Sequence, residues 1–284
     1  MVNIFNFNHL NSFESFSYLE LILYSLVLLS IGSFTSSIIY RLSSNLINNN
    51  KQLSIYSPRS FCPICNKTIK VINLLPVFGF LLQKGKCSSC KNNISPFYLF
   101  TEISFFVFGL AIVFFYGFDI FSFLLLCLFF LFYILFFLDL KFYYLPLPIN
   151  LLVIVLGFIG NSFFNIFVSD VYLLFDISPF LFSLYGFVIG YVSLWLVNFI
   201  FRLFYKKDGI GGGDFILFGG LGSLFGPFSL GLILFFGALT GCIIFLFFRK
   251  KFELQAPLGS CLILGSVFYV FIKNFELLNN YIVL

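Results

Sequence analysis

Long runs of apolar residues dominate this chain of 284 residues and decide what it can fold into. Hydrophobic residues make up 61% of the chain and charged residues 10%, whereas a soluble domain carries roughly 25% charged residues. Several runs reach the length of about 20 residues that an α-helix needs to cross a bilayer. The chain is therefore expected to be an all-α integral membrane protein that contacts the lipid bilayer, and not a soluble enzyme or a disordered polymer.

The apolar runs divide into about eight predicted transmembrane helices. They lie near residues 17–39, 98–116, 120–138, 148–167, 177–200, 214–226, 227–248 and 258–273. In this arrangement, 15 of the 16 basic residues fall on one side of the membrane, and only Lys273 falls on the other. Because basic loops stay in the cytoplasm, this side is expected to be cytoplasmic, with both termini outside.

The distribution of polar residues predicts three regions. Residues 1–40 contain the first transmembrane helix, residues 41–97 form a cytoplasmic loop, and residues 98–284 form a multi-helix membrane domain with the candidate catalytic residues. Residues 1–16 contain no Lys or Arg and so lack the basic region of a cleaved signal peptide. The first helix is therefore expected to be retained.

The loop contains four cysteines in two Cys-x-x-Cys pairs. Cys62 and Cys65 form the first pair, and Cys87 and Cys90 form the second after 21 intervening residues. Four thiolates at this spacing favour one tetrahedral zinc ion with a structural role, because a site with four protein ligands leaves no open position. A redox-active pair is the alternative, whereas stable disulfides are disfavoured in the cytoplasm.

Histidine chemistry is nearly excluded, because His9 is the only histidine. A metalloprotease HExxH site needs two histidines, and His9 lies far from any candidate partner of a Ser-His-Asp triad. A catalytic site must therefore use other groups.

Two aspartates stand out from the other acids because both lie at the predicted cytoplasmic rim. Asp139 ends the third predicted span, and Asp214 begins the sixth. An ionisable group at membrane depth is a candidate functional group, although each aspartate could also be a helix cap or a rim charge. The helix dipole favours a carboxylate at the N-terminus of a helix and disfavours it at the C-terminus. This predicts Asp214 as the ionised base that activates water and Asp139 as the protonated acid.

Nearby residues are candidates for supporting roles. Gly211 and Gly213 precede Asp214, and without side chains they would let an extended peptide approach the carboxylate. A simple flexible turn is the alternative, and no GK[ST] sequence follows that would indicate a phosphate loop. Glu102, a few residues into the second span, could position the pair or the substrate, or could extend to the interface.

These residues together resemble the type IV prepilin peptidases, the membrane aspartyl proteases of the GxGD class. The resemblance spans nearly the whole chain and rests on the order of five features: Gly32-Ser33-Phe34, the two cysteine pairs, Asp139 with Pro146 seven residues later, Gly211-Gly212-Gly213-Asp214, and Pro257-Leu258-Gly259. The chain departs from the family pattern at Lys141, Ile216, Leu258 and Ser260, of which the last stands where the family has a second proline.

The resemblance implies the activity and its partners. The chain would be an aspartic endopeptidase of the bacterial inner membrane, with Asp139 and Asp214 as catalytic residues and Pro146 as a supporting residue. It would remove the leader peptides of type IV prepilins or type II secretion pseudopilins at the cytoplasmic face. Many family members also methylate the new amino terminus with S-adenosylmethionine, and no nucleic-acid partner is expected.

Two functions of other classes remain open from the residues. The chain could be a small-solute transporter with the aspartates as proton or cation sites, or a zinc-ribbon membrane scaffold without chemistry. Transport sites usually lie near the midplane of the bilayer, whereas both aspartates are predicted at its rim.

Overall fold

The computed structural model describes residues 17–47, 53–165, 177–248 and 256–274. Within these ranges the chain is helical, with isolated bridges but no extended strand. The helices are α1 (Tyr18–Ile47), α2 (Phe78–Leu82), α3 (Pro96–Tyr116), α4 (Ile120–Phe142), α5 (Leu147–Phe164), α6 (Pro179–Tyr205), α7 (Gly212–Phe225), α8 (Ser229–Phe248) and α9 (Leu258–Asn274), with a 3-10 helix at Val71–Leu74.

The all-α prediction is confirmed, and an apolar helix occupies each of the eight predicted positions. Six of these helices are long and apolar enough to cross a membrane. The other two, α7 with 14 residues and α9 with 17, are shorter, so eight full crossings are not confirmed. Helix α1 runs to Ile47, beyond its predicted end at residue 39. The predictions for residues 1–16, including His9, and for the basic residues at 51 and 249–251 lie outside the described residues.

Serine, proline and glycine residues set several helix ends. Ser95 and Ser178 each accept a backbone N–H in the first turn of α3 and α6, and a proline follows each serine. A serine cap satisfies a free backbone donor, and proline suits the first helical position because it lacks an N–H there. Gly117 and Gly226 follow α3 and α7 with φ values of 74° and 81°, which an L side chain rarely adopts.

The described chain divides into two compact units. One unit ends at Ser122 and contains α1 and α3, which pack against each other, together with the loop elements between them. The other unit begins at Phe123 and contains most of α4 and all of α5–α9. The prediction of boundaries at residues 40/41 and 97/98 stays a prediction.

Helix α7 is the buried centre of the second unit, with every residue from Leu217 to Phe225 buried. It packs against α5 and α6. A Cβ at Gly222 would overlap the carbonyl of Gly186 in α6, and a Cβ at Gly190 would lie 2.7 Å from the carbonyl oxygen of Phe218. Small residues allow helix backbones to approach this closely in membranes. A helix too short to cross the bilayer is thus enclosed by protein.

The contact between Gly186 and Gly222 gives a testable prediction. Gly222→Ala is expected to destabilise the protein by about 1–3 kcal/mol, because a methyl group there forces α6 and α7 apart. The melting temperature in detergent should fall by roughly 2–10 °C. Gly231→Ala in α8 is the matched control, since nothing lies within 4 Å of a Cβ at Gly231. Equal melting temperatures for the two variants would contradict the close contact.

Candidate active site and metal centre

Asp139 lies in the last turn of α4, and its side chain is buried. Two donors from Ser260, in the first turn of α9, reach the same carboxylate oxygen. The backbone N–H of Ser260 donates to Oδ2 at 2.5 Å, and its hydroxyl lies 2.8 Å from Oδ2. The hydroxyl also lies 3.0 Å from the carbonyl oxygen of Phe136. Asp139 is therefore bound to the N-terminus of a helix 121 residues further along the chain.

Asp214 lies in the first turn of α7. Its carboxyl interacts with the backbone amides of Gly211 and Gly259 and with the charge of Asp139. Its Oδ1 atom is buried and has no hydrogen-bond partner among the described residues. A buried polar oxygen without a partner is costly unless a ligand satisfies it. This oxygen is therefore available to accept a hydrogen bond from a ligand.

The first turn of α9 brings the two aspartates together. Adjacent amides of this turn, from Gly259 and Ser260, face Asp214 and Asp139, and a Cβ at Gly259 would lie 3.2 Å from Cγ of Asp139. Both aspartates therefore lie at the first turn of α9, and their catalytic roles stay a prediction. Hydrogen bonding opposes the expected division of roles, because the two donors from Ser260 favour the ionised form of Asp139.

The glycines before Asp214 serve different purposes. A Cβ at Gly213 would lie 2.8 Å from Cβ of Leu145, and a Cβ at Gly211 would lie 3.1 Å from Oδ2 of Asp214. Nothing lies within 4 Å of a Cβ at Gly212. Gly213 thus lets the loop pack against Leu145, whereas the open space lies beside Gly212. The sequence singled out Gly211 and Gly213 for substrate approach, and that role stays a prediction.

Asn150 was missed by the sequence interpretation. It is fully buried in the first turn of α5, where its amide donates to the carbonyl oxygen of Gly213 at 3.2 Å. Pro146 immediately precedes α5 and accepts the backbone N–H of Asn150. The contact with Gly213 holds the glycine-rich segment before Asp214 against α5. The sequence signal that could have identified Asn150 is a polar amide within an apolar run, four residues after Pro146.

Glu102 belongs to the first unit, within α3. Its carboxylate is buried, and Oε2 accepts the backbone N–H of Val77 at 2.7 Å. The carboxylate is therefore held inside the protein and does not extend to solvent. It also lines a cavity of about 370 Å³ together with the aromatic residues Tyr40, Phe61, Phe80 and Tyr98.

Arg41, counted among the basic loop residues, is a buried structural residue. Its guanidinium donates to the carbonyl oxygens of Ser54 and Pro58, both at 2.6 Å. A planar guanidinium can donate to several acceptors at once. Arg41 thus ties the end of α1 to the start of the cysteine-containing loop.

The four loop cysteines form one cluster, as the spacing predicted. The sulfur atoms of Cys62, Cys65, Cys87 and Cys90 all lie within 4.8 Å of one another, and those of Cys62 and Cys90 are 3.9 Å apart. Tetrahedral sulfurs around zinc, at Zn–S distances of about 2.3 Å, would lie about 3.8 Å apart. All four thiols are free, and their arrangement fits a metal ion.

The two cysteine pairs have the same local geometry. In each pair the residue after the second cysteine, Asn66 or Lys91, has a φ near 60° and donates its N–H to the carbonyl of the first cysteine. The backbone amides of Cys90 and Ser89 lower the pKa of Cys87 to about 6. Metals bind the thiolate form, so the second turn prepares the sulfur of Cys87 for coordination.

Comparisons with known proteins match both parts of the chain. Residues 26–116 match the bacterial peptidase A24 N-terminal domain, and residues 124–246 match the type IV leader peptidase family. No solved structure matches the chain significantly.

Curated relatives cover nearly the whole chain. The chain is 34% identical over 257 residues to a prepilin leader peptidase/N-methyltransferase of Vibrio cholerae, covering 89% of this chain and 97% of that protein. It is 31% identical to a protein of the same description from Legionella pneumophila, covering 90% and 91% of the two chains. These matches give no support to a transporter or a scaffold. The chain belongs to the type IV prepilin leader peptidase family.

Proposed function

We propose that the protein is an aspartic endopeptidase that removes leader peptides from type IV prepilins or type II secretion pseudopilins. The observation that carries the proposal is that Asp139 and Asp214 both interact with the first turn of α9, and that one carboxyl oxygen of Asp214 has no hydrogen-bond partner within the described part of the chain. Two such carboxyl groups can divide the work of base and acid. The relatives described as prepilin leader peptidases support the choice of substrate.

In the proposed reaction, one water molecule lies between the two carboxyl groups. The ionised carboxylate takes a proton from the water, and the resulting hydroxide attacks the scissile carbonyl carbon. The protonated carboxyl group stabilises the oxyanion and then gives its proton to the departing amine. The products are a leader carboxylate and a pilin with a new amino terminus, so neither a serine nor a cysteine nucleophile is required.

The proposed location is the bacterial inner membrane, with the active site at the cytoplasmic face. The basic residues of the loops support this orientation, because 15 of 16 fall on one predicted side. The substrate's apolar helix would stay in the bilayer while its leader reaches the rim.

A direct cleavage assay tests the proposed function. The purified protein in detergent is incubated with a prepilin, and the products are weighed by mass spectrometry. We expect the leader to be released by a single cut after glycine and before the hydrophobic pilin helix. An intact prepilin after incubation with correctly folded protein would overturn the proposal.

We also propose that the protein methylates the new amino terminus and that the cavity beside Glu102 holds the methyl donor. S-adenosylmethionine supplies an activated methyl group and carries a positive charge and an aromatic adenine. The cavity offers a carboxylate and four aromatic rings, those of Tyr40, Phe61, Phe80 and Tyr98, and its volume of about 370 Å³ falls within the usual range for ligand sites. The relatives described as N-methyltransferases support this second activity.

The affinity for S-adenosylmethionine tests whether the cavity binds the methyl donor, independently of any methyltransferase assay. Titration calorimetry with S-adenosylmethionine should show Glu102→Gln binding about tenfold more weakly, because the carboxylate charge is lost. Glu20→Gln, at an exposed position in the first turn of α1, is the matched control and should bind normally. Unchanged affinity in Glu102→Gln would place the donor elsewhere.

A further inference from the structure

Ser260 brings two donor groups, its backbone N–H and its hydroxyl, within hydrogen-bond distance of one oxygen of Asp139. Ser260 is fully buried in the first turn of α9, where the backbone N–H groups have no carbonyl partner within the helix. The N–H of Ser260 donates to Oδ2 of Asp139. The single hydroxyl proton of Ser260 can reach Oδ2 at 2.8 Å or the carbonyl oxygen of Phe136 at 3.0 Å, and an ionised carboxylate is the stronger acceptor of the two. Asp139 therefore caps α9 while it faces Asp214.

The contacts of Asp214 differ from those of Asp139. Asp214 faces backbone amides of Gly211 and Gly259, but its Oδ1 has no hydrogen-bond partner among the described residues. A carboxylate that accepts two short hydrogen bonds is stabilised in its ionised form, whereas a buried oxygen without a donor is more stable as part of a neutral carboxyl group. Two adjacent carboxyl groups do not both ionise readily.

We propose that Ser260 is a positioning residue that keeps Asp139 ionised, so that Asp139 is the base that activates water and Asp214 carries the shared proton. This inference rests on the proposed peptidase function and assigns the roles within the same pair. Within the described ranges, the titratable groups that interact with Asp139 from neighbouring helices are the Asp214 carboxyl of α7 and the Cys261 thiol of α9. Lys141 follows two residues later on α4.

The dependence of cleavage rate on pH distinguishes this role from a purely structural one. On the acid side, the rate rises as the base loses its proton. Without the hydroxyl of Ser260 the ionised carboxylate is less stabilised and holds its proton to higher pH. In Ser260→Ala the acid limb of kcat/KM should therefore move up by roughly one pH unit, a tenfold change in proton affinity. Unchanged kcat and an unchanged acid limb would overturn the inference.

Two further variants and a control complete the test. Ser260→Cys keeps the shape of the side chain with a weaker donor, so its acid limb should lie between those of the wild type and Ser260→Ala. This variant also tests the inference if Ser260→Ala does not fold. Ser260→Pro removes the N–H as well and should shift the limb further than Ser260→Ala. Ser266→Ala is the matched control, because Ser266 is buried in α9 and its hydroxyl donates to the carbonyl oxygen of Ile263 in the same helix. A control that shifts as far as Ser260→Ala would contradict the assignment.

The wild-type assay separates the two proposals. If the wild-type protein does not cleave prepilin, the peptidase function fails. If it cleaves and Ser260→Ala keeps the wild-type pH profile, only the role of Ser260 fails.

Discussion

Asp139→Asn and Asp214→Asn are each expected to reduce leader cleavage by about 1,000-fold or more. An amide has nearly the shape of a carboxyl group but can neither take a proton from water nor donate one to the amine. Because the two carboxyl groups act as a unit, the double variant should cleave the leader at nearly the same low rate as either single variant. The measurement is single-turnover cleavage of a purified prepilin, with products quantified by mass spectrometry.

Asp208→Asn provides the matched control for the aspartate variants. Asp208 lies six residues before Asp214 and undergoes the same chemical change, but its side chain is 60% exposed and pairs with Arg202 at 3.8 Å. An exposed ion pair contributes about 0–1 kcal/mol, so this variant should cleave at close to the wild-type rate. Cleavage within tenfold of wild type by either Asp139→Asn or Asp214→Asn, at normal folding, would refute the aspartic mechanism.

Loss of the metal is expected to unfold the cysteine-containing loop. We expect about one zinc ion per chain in the wild-type protein and nearly none in Cys65→Ser, measured by elemental mass spectrometry. Structural zinc contributes about 10–16 kcal/mol of apparent binding free energy in small domains that fold around it. Between residues 53 and 95 the loop contains only short helices, and the contacts of Arg41 and Glu102 hold it at points outside the cysteine turns, so the metal would stabilise those turns.

Limited proteolysis reports whether the loop has unfolded. Residues 53–95 should become rapidly cleavable in Cys65→Ser, and in wild-type protein treated with a strong chelator. Cys242→Ser in α8 is the control, because this thiol lies outside the cluster and should leave both zinc content and protection unchanged. A protected loop with no bound metal would show that the four thiols are not a folding site.

Local patterns predicted most of the fold. Each apolar run predicted one helix, because a bilayer-length stretch of apolar residues has few other stable conformations. The cysteine spacing predicted the cluster, since two short turns suffice to present four sulfurs to one ion. The sequence also identified Asp139 and Asp214, because charged groups are rare in such a chain. The C-terminal ends of α1 and α6 were less predictable, since these helices run to Ile47 and Tyr205 and not to residues 39 and 200, and helix ends depend on caps and neighbours.

The roles within the aspartate pair depended on contacts distant in sequence. From the sequence, each carboxyl group could be judged only by its own helix end, and that placed the negative charge on Asp214. The fold adds the N-terminus of α9, whose Ser260 donates to Asp139 across 121 residues. These short hydrogen bonds, together with the positive end of the α9 dipole, oppose the unfavourable dipole at the C-terminal end of α4 itself. The sequence determined which two carboxyl groups are candidates for the chemistry, and only tertiary packing decided which of them accepts hydrogen bonds from the N-terminus of α9.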